Sequence, residues 1–97
     1  MRVMNELESG RERQFMEYLR DGIMAAKDGH RNLARSLLNR AIYLNGYDAR
    51  PYIWLSSTTD DPAEQIEYLE KAVSLEPTNA SARRGLAILK GKIDQSK

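Results

Sequence analysis

The chain contains no cysteine. That removes disulfides, thiolate nucleophiles and thiolate metal ligands; it fits a reducing compartment, so a cytoplasmic location is expected. There is a single histidine, His30. Neither an imidazole metal cluster nor a histidine-based triad can therefore be assembled within one chain. No apolar run is long enough to cross a bilayer, and the first residues carry no secretory signal pattern, so no membrane association is expected. An excess of one charge is missing too: 15 Lys and Arg face 14 Asp and Glu. Nothing draws the chain as a whole toward nucleic acid or an anionic membrane. Gly22 and Gly29 do not form a phosphate loop, because no strand precedes them and the GxxxxGK[ST] spacing is absent. No segment alternates with period two over a useful length, which leaves an all-α reading.

What the chain does have is a second version of itself. Arg40-Ala41-Ile42-Tyr43-Leu44-Asn45-Gly46-Tyr47-Asp48-Ala49 returns as Lys71-Ala72-Val73-Ser74-Leu75-Glu76-Pro77-Thr78-Asn79-Ala80, and the match runs on to Leu55 and Leu86. Self-similarity at a fixed spacing marks a repeat, in which each unit needs a neighbour to cover its apolar face. A chain of 97 residues is one small domain. At this size folding hides only about 60–70% of the unfolded surface, so stability is expected to be modest.

Residues 1–10 read as a lead-in, disordered, artificial or weakly helical, in which Val3, Met4 and Leu7 could share a side. From about Arg11 to Asp28 apolar residues recur with helical spacing, and Gly29 is placed to end that helix in a left-handed turn. A second helix is expected from about Arg31 to Asn45, with Ala34, Leu37, Leu38, Ala41 and Leu44 inward and Gly46 as its stop. A third, shorter one runs from about Ala49 to Thr58. Asp61-Pro62 opens a fourth, which Pro77 closes after Leu75. Glu67 and Lys71 are spaced for an ion pair on its wet side. Asn79 caps a fifth helix, expected to reach about Lys90 before a frayed tail.

These residues resemble the tetratricopeptide repeat (TPR) family, whose unit of about 34 residues carries an aromatic and Leu-Gly in one helix and Ala-x3-Phe and Pro in the next. Tyr18, Gly22, Ala34, Leu38 and Ala41 fill those places in the first unit, with Gly46 where Pro is usual. Tyr52, Leu55, Ser56, Gln65, Leu69, Ala72 and Pro77 fill them in the second. Asp21, Ala25 and Gln65 depart from the pattern. Tyr18 to Tyr52 is a full unit, whereas Leu38 to Leu69 is shorter by three. A deletion is therefore expected at Thr58-Thr59-Asp60-Asp61. The resemblance implies an α-solenoid of antiparallel helix pairs, about five helices in all. Repeat one would cover 15–48, a shortened repeat two 49–79 and a cap helix 80–91, within a domain spanning 11–91 and followed by a tail at 92–97.

In this family the first helix of each unit lines a concave groove. The resemblance places Leu19 and Ile23 there from unit one and Ile53 and Ser57 from unit two, with Arg50, Trp54 and Arg84 near the same surface. It implies a protein-interaction module or scaffold that holds a peptide or helix of an unknown protein partner. Leu19 and Ile23 could instead be covered by residues 1–10 or by a second copy, and Trp54 is read as packing between helices in preference to touching a ligand. Leu19 and Ile23 stand where chaperone-tail binders of the family need Lys and Asn, so that activity is not expected. The alternatives are self-association as an oligomerisation or spacer module and, ranked last, nucleic-acid binding through Arg83, Arg84, Lys90 and Lys92.

No enzyme, cofactor or metal reading survives this inventory. Asp60, Asp61 and Glu64 form the tightest carboxylate cluster. They read as capping and favourable charge at a helix N-terminus, since the EF-hand loop spacing is absent.

Overall fold

The computed structural model describes the backbone of residues 2–95 and the side chains of residues 10–92. Five helices follow one another: α1 (Arg2–Lys27), α2 (Arg31–Leu44), α3 (Arg50–Ser56), α4 (Pro62–Leu75) and α5 (Ala80–Gln95). No strand occurs among the described residues. Helix α1 starts well before the expected Arg11. A lone glycine inside a helix costs only about 1 kcal/mol, and Asn5-Glu6-Leu7-Glu8 is a sequence that helices accept, so Gly10 sets no boundary. For the same reason α5 runs through Gly91 to Gln95 and does not stop at Lys90.

The turn after α1 is set by Gly29, the one described residue with positive φ, at 81°. Its N–H donates to Ala26 O at 3.1 Å, and the next N–H, of His30, reaches back to Ala25 O at 2.9 Å. This pair of bonds closes the helix and reverses the chain. Helices α2 and α4 end alike. Asn45 and Glu76 both leave helical geometry, and their N–H groups donate to Ala41 O and Ala72 O at 2.9 Å each. Gly46 thus needs no left-handed backbone to stop α2; the extended conformation of Asn45 does it. Asp61 caps α4 by accepting from Ala63 N at 3.1 Å, and Asn79 caps α5 by accepting from Ala82 N at 2.9 Å.

Helix α1 runs antiparallel to α2. Gly22 meets Leu38, Tyr18 meets Arg40, and Phe15 lies beside Leu44. The approach is closest at Gly22, where an added Cβ would fall 2.8 Å from Leu38. Helices α3 and α4 form a second such pair, and α5 lies along α4 with Gly85 beside Leu69. Two cores result. The first gathers Phe15, Leu19, Ala34, Leu38 and Ala41 with Leu55 of α3. The second gathers Ala49, Leu69, Ala72 and Ala82. The small residues Ala34, Ala41, Ala72 and Ala82 are fully buried, so helix backbones approach where the alanines stand.

The two pairs match at side-chain level. Arg40 lies over the Tyr18 ring at 5.8 Å from its centroid, and Lys71 lies over Tyr52 at 6.0 Å. Lys71 therefore faces an aromatic ring, and no Glu67–Lys71 ion pair forms within 4 Å among the described residues.

Candidate functional site

The face expected to bind is that of α1, α3 and α5. Helices α1 and α3 touch there: Arg50 Nη2 lies 3.8 Å from Met16 Sδ. Leu19, however, offers no surface. It is 2% exposed and belongs to the same cluster as Leu38 and Leu55, because α1 meets α2 on one side and α3 on the other. Ile23 and Ile53 are half-buried, the first against the α1–α2 core and the second against the α3–α4 core. Trp54 is half-buried against the first core, with Lys27 Nζ over its ring at 5.6 Å. Ser57 is exposed and turns its hydroxyl inward onto Trp54 O at 2.6 Å. Arg84 is exposed and forms no ion pair among the described residues.

Arg50 is not a loose cation at the rim. Its Nε and Nη2 donate to the two oxygens of Asp48 at 3.0 and 2.7 Å, and its backbone N–H donates to Asp48 Oδ1 at 2.9 Å. The hydrogen bond from Arg50 holds the Asp48 carboxyl below its ordinary range, and Asp48 raises Arg50 in turn. An incoming carboxylate would have to compete with this pair. Besides Met16, 47% exposed on α1, the sequence reading missed Ile88, 52% exposed on α5. It stands where the shorter spacing carries Ser57 forward, so the repeat offset, applied once more, finds it.

The concavities described lie mostly elsewhere. One of about 440 Å³, lined by Tyr47, Asp48, Arg50, Leu75, Glu76 and Asn79, takes Arg50 alone of the seven expected groove residues. Another, of about 480 Å³, opens between α1 and α2 beside Tyr18, Arg40 and Tyr43. A third, of about 220 Å³, sits between Phe15 and Leu44 with Arg11 and Glu12 at its edge. Tyr43 and Tyr47 are 84% and 87% exposed.

The acidic cluster is taken up internally. Arg31 Nη1 and Nη2 donate to the Asp60 oxygens at 2.9 and 3.0 Å, and Arg35 lies 3.6 Å from Glu64. Arg31 holds Asp60 below the usual carboxylate range, mainly by this hydrogen bonding. Glu64 also accepts from the Thr59 hydroxyl at 2.6 Å. Of the four basic residues weighed for nucleic acid, Lys90 lies 3.5 Å from Glu70 and Arg83 donates to Pro77 O at 3.4 Å. No described helix is long and apolar enough to cross a membrane.

Compared with models of known protein families the chain matches none, and no curated protein matches it.

Proposed function

We propose that this chain is a short TPR-like stack of helix pairs, without catalysis of its own, that holds a peptide or helix of another protein on its α1–α3–α5 face. The observation that carries the reading is the matched pair of stacked cations, Arg40 on Tyr18 and Lys71 on Tyr52. Unrelated helices have no reason to reproduce that contact at repeat-related positions. The Met16–Arg50 contact supports the same reading, since a stack of such units would bring these two residues together.

The face differs from the one that the resemblance implies. Leu19 is core, and Ile23 and Ile53 are partly so. What remains accessible is Met16, 47% exposed, with Ser57, Arg84 and Ile88. A few apolar anchors beside arginine suit a short amphipathic segment with an acidic group. The test is affinity capture with wild type beside a Met16→Glu, Ile88→Glu double variant. Both sites are exposed, so circular dichroism should show the variant folded. The same proteins should be retained by wild type and lost by the variant. Equal retention would assign binding to another face.

A further inference from the structure

Each unit of this chain ends in a backbone carbonyl that the next unit captures. Tyr52, on the first helix of the second pair, donates its hydroxyl to Gly46 O at 3.2 Å, at the end of the first pair. Burial pushes the Tyr52 phenol up, so it stays a donor. Arg83 stands one short unit beyond Tyr52, and Pro77 one short unit beyond Gly46. Arg83 Nη1 donates to Pro77 O at 3.4 Å. The same register is thus used twice.

Tyr18 is the corresponding residue of the first pair. Its hydroxyl has no hydrogen-bond partner among the described residues. Its half-buried ring lines the cleft of about 480 Å³ between α1 and α2, with Tyr43 as an exposed apolar wall. Arg40 lies over the ring and has no carboxylate within 4 Å among the described residues. The cleft therefore presents a free hydroxyl donor and an uncompensated cation. The C-terminal end of a helix carries the complementary partial negative charge and unpaired carbonyls.

We infer that the Tyr18–Arg40–Tyr43 cleft is a docking site for the C-terminal turn of a helix in a partner protein. The site lies between α1 and α2 and rests on the equivalence of the two helix pairs, not on the groove proposed above. A second copy of this chain is a poor occupant, because the equivalent carbonyl of its α4, at Pro77, is already held by its own Arg83.

The experiment uses the full chain, isotope-labelled, titrated with a peptide of residues 34–47 behind an alanine-rich helical leader and amidated at its end. This peptide carries the turn to which Tyr52 donates within the chain. Saturable NMR shifts centred on Gln14, Tyr18, Arg40 and Tyr43 are expected. Tyr18→Phe should weaken binding about two- to tenfold, the worth of one hydrogen bond. Arg40→Gln, at an exposed position, should weaken it as well and guards against a fold defect in the first variant. The peptide cut back to Leu44 should bind measurably less. No shifts, shifts centred on Met16 and Ile88, or equal affinity of Tyr18→Phe or of the shortened peptide would each overturn the assignment. So would the same shifts appearing on concentrating the protein alone, since a second copy would then be the occupant.

Discussion

Two glycines in the same helix have opposite meanings. An added Cβ at Gly10 meets nothing within 4 Å, whereas at Gly22 it meets Leu38, a fully buried side chain, at 2.8 Å. Replacing Gly10 with alanine removes backbone freedom from the unfolded chain without new contact, and should stabilise by about 0.5–1 kcal/mol. At Gly22 the same propensity gain of about 1 kcal/mol is set against overpacking of about 1–3 kcal/mol. The expected net effect there is a loss of about 1 kcal/mol. Urea melts of the two variants should thus move in opposite directions. Movement in the same direction would mean that α1 and α2 do not approach at Gly22. Gly29 differs from both, because its cost to any other residue lies in its positive φ and not in space.

At the scale of elements, α3 is the unusual one. It stops at Ser56, the counterpart of Gly22, while α1 continues from Gly22 to Lys27. Early termination leaves carbonyls to be satisfied. Three consecutive hydroxyls do this, with Ser56 donating to Ile53 O, Ser57 to Trp54 O and Thr58 to Leu55 O. The chain then turns on Thr59. Its hydroxyl donates to Glu64 and accepts from Asp61 N at 3.1 Å, while its carbonyl accepts from Gln65 Nε2 at 2.8 Å. Thr59→Val keeps the shape and removes the hydroxyl bonds, so a loss of about 1–2 kcal/mol is expected, read as a lower urea midpoint at unchanged slope. An unchanged midpoint would show that the loop is held by its backbone alone. How far the sequence discloses such elements depends on how local their causes are. Helix α4 was legible to the residue, because Asp61-Pro62 and Pro77 act on their own neighbours. The departure of Gln65 from alanine had no meaning until Thr59 was seen beside it. Thr58 and Thr59 read only as the place of a deletion, yet they are 3% and 9% exposed, since tertiary contact alone decides which hydroxyls are hidden. Leu19 shows the same limit. The resemblance put it on the groove face of α1, but not beneath α3, which closes over it.

The whole molecule is elongated, 58 × 28 × 17 Å, as helices laid side by side should be. It is not divisible at its waist. Leu55 is fully buried, and it lies in the first core although it belongs to the second helix pair; Trp54 packs beside it. Each pair therefore lacks part of its own interior when taken alone. Cutting the chain after the exposed Tyr47 should yield two pieces that each melt without cooperativity. Mixed in equal amounts, they should regain the near-ultraviolet signal of Trp54 and a single sigmoidal transition. This is a built-in split reporter, whose reassembly needs no linker and whose one tryptophan signals the join.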